Sequence, residues 1–496
     1  MAKSDQRWPI KVFAVDLRSL ALFRMLLGLV IIADAVWRLP FAVEFTGAAG
    51  WLPYDMLRAH PLGSPGLTLH ALSAWSGWPV FLLLVQIAVS GAFILGWHTR
   101  WITPLLWLLV LSLHARNPFM LQAGDSYLRV VLFWAMFVPL GDRWSLDVRR
   151  GAVRSDRDGF FSLGAAGLLI QVALVYVFTG LLKTSPEWHA TGQAVYHALQ
   201  LYDFVTPVGT WLAGYPELLR VLTPVVLWFE IFGPLLLFAP WAKVRGLGIL
   251  LFIGLQISFG VCLWLALFPF ISMVALIPFV PGAFWDGLAR RWKPAASQGG
   301  GVRRAMRPVP SLLAAIALVL ILAENLSALR GGFIIPQGAS DILRTVGLRQ
   351  NWRMFAPMPL DANGYYVWVV KRADGEWASW DDPERPPDWQ RPAGGPFRFP
   401  TYRLRKYQHN LIRYEYASLR APYVRYHWET LPAAWAGEDP AQQPVSLALY
   451  YADISVRRTP PRSLIVFQLI QVYSPEDMTD GEPTWPGRHL PGVVTH

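Results

Sequence analysis

SLGAAGLLIQVALVYVFTGLLKTSPEW, residues 162 to 188, fixes the class of this protein. Residues 162–182 carry no charge and match the ~20 residues that cross a bilayer core as a helix. The run ends on one cation, Lys183, and Thr-Ser-Pro-Glu-Trp follows at once. From Thr184 to Glu217 there is no other Lys or Arg. A lysine at a helix end can snorkel to the headgroups. One held in an apolar, poorly hydrated setting can also give up its proton and act as a base.

Similar runs recur at 19–37, 79–97, 101–115, 127–140, 219–240, 246–264, 267–281 and 310–327. The chain has 496 residues, 54% of them hydrophobic and only 16% charged. That is too little charge to cover the surface of a soluble protein of this length. The expectation is an all-α polytopic membrane bundle of about nine transmembrane helices, residues 1–330, followed by an extracytoplasmic α+β domain, residues 331–496. The runs at 101–115, 127–140 and 267–281 are short and are expected to tilt, kink or re-enter. The basic start runs into a full-length span with no small-residue cleavage site, as in a signal anchor. Cys262 is the single cysteine, which excludes an internal disulfide and a cysteine metal cluster.

A net charge of +11 would suit nucleic acid, but its placement excludes that partner. Outside the C-terminal region, Lys and Arg concentrate before the first run and in alternate connections: Lys3 to Arg18, Arg100, Arg143 to Arg157, Lys243 with Arg245, and Arg290 to Arg307. Short connections rich in Lys and Arg stay in the cytoplasm. The N-terminus is therefore expected in the cytoplasm, with the C-terminal domain and Lys183 outside. The linker RRWKPAASQGGGVRRAMRPVP, 290–310, reads as flexible. In the C-terminal region, YYVWVVKRADGEWASW alternates and turns at Asp374-Gly375, a hairpin signal. VSLALYYADISV and RSLIVFQLIQVYS read as further strands, and residues 402–431 as helical with interleaved arginines and aromatics. The tail after about Pro475 reads as loose.

Ionisable residues within apolar spans point to function or to buried pairing. Arg24, Asp34, Glu230 and Glu324 are such residues, expected to face the bundle interior with polar partners. Asp34 and Arg38 are four apart and can pair on one helix face. Gln171, Tyr176 and Gln256 add further polar groups, enough together for a polar cavity between helices. Asp125 heads the fourth run at the membrane level of Lys183, as a helix cap or as an acid that tunes the lysine. His189 and His197 lack a third ligand nearby, and there is no HExxH, CxxC or phosphate-binding loop, so no metal is expected. RQNWRMFAPMP, 349–359, reads as an aromatic anchor seating the outer domain at the bilayer surface, or as one wall of a substrate channel. YRLRKYQHNLIRYEY, 402–416, reads as a solvated face, or as a holder of acidic peptide or anionic headgroups.

VDLRSLALFRMLLGLVIIADAVWR, GDSYLRVVLFWAMFVPLGDRWSLD, YVFTGLLKTSPEWHATGQAVYHAL and LGLRQNWRMFAPMP, in this order, resemble the bacterial HTTM (horizontally transferred transmembrane) family. That family is related to the vitamin K-dependent γ-glutamyl carboxylase. The resemblance implies that Lys183, on the pattern Tyr176, Gly180, Lys183, Trp188, matches the lysine that deprotonates vitamin K hydroquinone. It implies a reduced quinone of the vitamin K or menaquinol type, with O2 and CO2, and a peptide or small-molecule substrate on the outer face. Lys183 and Asp125 would be catalytic, and Tyr176, Gln256 and Trp188 would bind the quinone. Asp125 and Gln256 stand where the carboxylase has histidines. The expected activity is that of a carboxylase-like lyase or oxidoreductase, coupling hydroquinone oxidation to proton abstraction or carboxylation. The alternative is a non-catalytic membrane maturation or scaffold protein of the same fold.

Overall fold

Apolar side chains kept from water must meet lipid or one another, and this chain gathers many of its own in stacked helices. A computed structural model describes residues 8–59, 68–152, 157–292, 301–329, 332, 334–360, 363–454 and 466–475. Each of the nine apolar runs contains a helix. They are α1 (Leu17–Arg38), α2 (Trp78–Leu95), α3 (Thr99–Arg116), α4 (Ala123–Ala135), α5 (Leu163–Leu181), α6 (Pro216–Phe232), α7 (Ala242–Cys262), α8 (Phe268–Leu276) and α9 (Pro308–Ser327).

Among the described residues, α1, α2, α5, α7 and α9 are long and apolar enough to cross a membrane. The count rises to seven if two bent pairs each make one span: Pro207–Ala213 with α6, at 106°, and Phe268–Phe279 with Gly282–Arg290, at 82°. The remaining two runs fall short for physical reasons. Helix α4 has 13 residues, about 20 Å of length against a hydrocarbon core of about 30 Å. Helix α3 carries Arg100, His114 and Arg116. Five to seven spans are thus supported by length and composition, fewer than the expected nine.

The bundle has two different ends. At one, β1 (Val15–Asp16), β2 (Gly159–Phe161) and β3 (Val302–Arg304) form a small sheet. Arg143 pairs with Asp158 at 2.8 Å and Arg303 with Asp142 at 2.6 Å beside it. Arg24 explains its own burial there. Its guanidinium donates to the carbonyls of Leu140 and Trp144, each at 2.6 Å, and of Ile94 at 3.2 Å. Those carbonyls belong to the end of α2 and the turn after α4, where no backbone N–H is placed to receive them. Gly96, at φ +69°, ends α2; a Cβ there would come within 2.8 Å of Arg24 Nη1.

The C-terminal domain caps the opposite end. A connector helix, α10 (Gln337–Thr345), leads into a four-stranded antiparallel sheet ordered β5-β4-β6-β7. The strands are β4 (Tyr365–Arg372), β5 (Trp377–Ser379), β6 (Pro444–Asp453) and β7 (Val466–Tyr473). The hairpin turns at Gly375, at φ +91°. The expected helical stretch is two helices, α11 (Tyr402–Leu411) and α12 (Arg420–Glu429), divided by a 3-10 turn at Tyr414–Leu419. Tyr407, Leu411, Tyr423 and Val424 share one apolar core with Leu447 and Leu449 of the sheet and with Phe45, Trp51 and Phe119 of the bundle. The α+β domain is therefore packed onto the helices rather than tethered to them. Residues 293–300 of the linker, the junction at 330–331 and the tail beyond 475 lie outside the described residues.

Within that core, His427 stacks on Trp368 at 4.5 Å, and its Nδ1 is 2.9 Å from the Tyr423 carbonyl. Burial pulls its pKa down to about 4, although the Tyr423 carbonyl opposes this. Burial, aided by Lys406, Arg405 and Arg413, takes His409 to about 3. An unfolded histidine titrates near 6.5. Above that pH both states are neutral and stability is complete. As pH falls from 6.5 towards the folded values, only the unfolded chain gains the proton. The fold should lose up to about 2 kcal/mol per histidine by pH 5. Thermal melts at pH 7.5 and 5.0 should show this drop, and His427→Phe should reduce it. Equal melting temperatures would contradict the assignment.

Candidate functional site

Helix α5 delivers Lys183 to the end of the bundle that carries the C-terminal domain. The helix is held close to α6 by Gly180, where an added Cβ would lie only 2.5 Å from Ile231 Cγ1. That close approach places the neighbouring Glu230 against the lysine. Lys183 Nζ donates to Glu230 Oε2, and both side chains are almost fully buried. The Trp188 ring covers Nζ, with its centroid at 4.3 Å. Trp188 Nε1 in turn donates to the Phe355 carbonyl at 3.0 Å, which fixes the indole. The lysine is 2% exposed, so it is not a snorkelling anchor.

Tyr176 and Gln256 meet as a pair: Gln256 Nε2 donates to Tyr176 Oη at 3.1 Å. Phe252 packs on the tyrosine at 4.3 Å between ring centroids. A polar line of two pairs, Lys183 with Glu230 and Tyr176 with Gln256, thus draws on three helices, with aromatic rings around it. Among the described residues, Gln256 Oε1 and Tyr127 Oη are buried without a hydrogen-bond partner.

Asp125 is not part of this line. Its Oδ1 accepts from Arg403 Nη2 at 2.8 Å and from Arg38 Nη2 at 3.1 Å. Its Oδ2 accepts from the Gln122 amide at 2.8 Å, closing a capping box at the start of α4. Asp34 receives Arg38 Nε at 2.9 Å and Arg403 Nη2 at 2.5 Å. The expected partnership of Asp125 with Lys183 is therefore corrected: two guanidiniums claim the aspartate, and Glu230 claims the lysine. Asp34, His114 and Asp125 are near enough for one ion. Arg38 and Arg403 already balance both carboxylates and occupy their oxygens, so the cluster is an ion-pair network joining α1, α4 and α11.

Glu324 is also satisfied, accepting from the Gln350 amide at 3.0 Å and pairing with Arg349 at 3.4 Å. Gln350 and Trp352 of the RQNWRMFAPMP stretch form a buried plug. Trp352 is buried against Tyr127, with centroids at 5.7 Å. Gln350 and Gln171 exchange reciprocal amide hydrogen bonds of 2.9 and 3.0 Å. Gln350 Oε1 also accepts from Trp352 Nε1 at 2.9 Å. Gln171→Leu should strand the Gln350 amide at a cost of about 1–3 kcal/mol, and Gln171→Leu with Gln350→Leu should cost less than the sum of the single changes. Additive losses in denaturation would argue against the pairing.

The same stretch forms one wall of a cavity of about 1050 Å³ between the bundle and the C-terminal domain. Lys183, Glu230, Tyr176 and Gln256 do not line it, but Phe355, which holds Trp188, does. Arg403, Gln350 and Trp352 were not singled out in the sequence as site residues. No spacing signals Arg403. Gln350 stands among Arg349, Asn351 and Arg353, so its burial had no local sign. Neither family models, curated proteins nor solved structures gave a match to this chain.

Proposed function

We propose that this chain is an integral membrane enzyme of the HTTM, carboxylase-like kind, in which the Lys183–Glu230 pair handles the proton of a lipophilic hydroquinone. The observation that carries the reading is a lysine and a glutamate buried together at the capped end of the bundle, under an aromatic ring. A structural cation needs no such setting, and burying an ion pair costs several kcal/mol per ion in desolvation before the partners offset it. Proton transfer within the pair, from the Lys183 ammonium to the Glu230 carboxylate, gives a neutral amine and a neutral acid, so the lysine can become a base without leaving an isolated charge in the apolar core.

The surrounding residues fit a quinol-type guest. Gln256 Oε1 is an acceptor and Tyr127 Oη a donor or acceptor, both buried and unsatisfied. Phe252 and Trp188 supply flat apolar surface. When bound, a hydroquinone supplies two electrons and two protons for the reduction of O2. The protein's part is to orient its ring by Tyr176 and Gln256 and to hold a proton at Glu230 or Lys183. Carboxylation of a peptide or small substrate by CO2 is the coupled reaction that the resemblance implies. We place the C-terminal domain outside a bacterial inner membrane, on the strength of the basic residues gathered at the opposite end.

The non-catalytic scaffold is favoured by one specific feature: Lys183 and Glu230 satisfy one another and do not line the cavity of about 1050 Å³. Hydroquinone-dependent O2 uptake by the purified chain separates the two readings. An enzyme consumes O2 in proportion to added hydroquinone above the rate without protein; a scaffold leaves that rate unchanged.

A further inference from the structure

The large cavity has a charge pattern that the proton-handling pair does not use. Helix α4 contributes Arg129, and the connector and plug contribute Arg344, Arg349 and Arg353. The C-terminal domain adds Arg405, Lys406 and Arg413, whereas Asp203 and Glu324 are the acids on the wall. Glu324 answers Arg349, and Asp203 pairs with Arg398 at 2.9 Å, off this wall. Arg344 pairs with Asp341 at 3.3 Å and Arg413 with Glu415, which leaves Arg129, Arg353, Arg405 and Lys406 as the wall cations without an ion pair among the described residues.

Arg405 is the most telling of these residues. It is 4% exposed, with its guanidinium carbon 3.8 Å from the Phe204 ring centroid. Nη1 donates to the Asp203 carbonyl at 2.8 Å, but Nε is buried with no hydrogen-bond partner. Neighbouring Lys406 has its pKa pulled down to about 8 by burial and by Arg413 and Arg405. Crowded, partly dry cations of this kind are costly to maintain unless an anion is delivered to them. The same lining includes apolar side chains: Leu111 of α3, Leu265, Phe268 of α8 and Met354.

We propose that this cavity binds an amphiphile with a phosphate head, the head against Arg405 and Lys406 and the apolar chain against Leu111, Leu265 and Phe268. Guanidiniums reach the cavity from three separate elements. A carboxylate offers one two-oxygen edge to a guanidinium fork, whereas a terminal phosphate presents three strong acceptor oxygens to donors on different sides. The position between the bundle and its capping domain lets one molecule satisfy both surfaces. This inference is independent of the hydroquinone reading, because Lys183 and Glu230 line another part of the bundle.

The test uses the full chain in nanodiscs of neutral lipid, with dodecyl phosphate, inorganic phosphate and an oligoglutamate peptide as probes. Dodecyl phosphate should bind saturably and raise the melting temperature, at a Kd at least tenfold below that of inorganic phosphate. Arg405→Gln should weaken it at least tenfold. The exposed Arg353→Gln, whose folding is not at risk, should weaken it severalfold with an unchanged melting temperature in the absence of probe. Equal affinity for inorganic phosphate would overturn the amphiphile and leave a soluble phosphate as the ligand. Binding of oligoglutamate but not dodecyl phosphate would overturn the phosphate head. Dodecyl phosphate binding that neither variant changes would overturn the site.

Discussion

Arg403→Met should be the most destabilising single change in the C-terminal domain, costing about 3–5 kcal/mol. Arg403 is 1% exposed and reaches from α11 to Asp34 on α1 and Asp125 on α4. Methionine fills much of the volume but leaves two buried carboxylates facing Arg38 alone. The cost arises from that uncompensated charge, so it should be relieved by removing the charge. Arg403→Met combined with Asp125→Asn should recover part of the loss, although Asp125→Asn alone destabilises. Limited proteolysis should cut the C-terminal domain of Arg403→Met faster than that of wild type. A melting temperature unchanged by Arg403→Met would remove the network from the account of how the cap is held.

The membrane class, the helix in each apolar run, the capping α+β domain and its hairpin were legible because they rest on local composition and period. Arg24, Asp34, Glu230 and Glu324 were legible as buried for the same reason: a charge in an apolar run has few tolerable positions. Their partners were not. Asp125 lies in a segment that suits either a cap or a tuning acid, and only the arrival of Arg403, far along the chain, decides between them. Helix α4 was read as a possible span because its residues are apolar, yet its 13 residues are covered by neighbouring protein. The plug at Gln350 and Trp352 looked like a surface anchor because Trp, Met and Phe are common at bilayer surfaces. Burial of Trp352 depends on a groove that several distant helices create together.

Lys183→Met should also have a large effect, and its form distinguishes a buried pair from a surface lysine. Removing the ammonium leaves Glu230 charged in an apolar site, at a cost of about 3–5 kcal/mol. Adding Glu230→Gln to Lys183→Met should restore much of the stability while any turnover stays lost. A headgroup-level lysine would give a change within about 0.5 kcal/mol, as for most surface substitutions. Chemical denaturation of wild type, the two single variants and the double variant gives the coupling directly. Additivity across that cycle would mean that the pair is not an interacting unit.

Lys183→Arg keeps the charge, most of the length and the contact with Glu230, but guanidinium does not give up its proton. The most direct measurement is hydroquinone-dependent O2 uptake by purified wild-type and Lys183→Arg protein, with the quinone products followed by mass spectrometry and both proteins shown to be equally folded. The account predicts hydroquinone consumption by wild type and a loss of at least a hundredfold in Lys183→Arg. Equal consumption by both proteins, or none by wild type, would contradict a proton-handling role for Lys183.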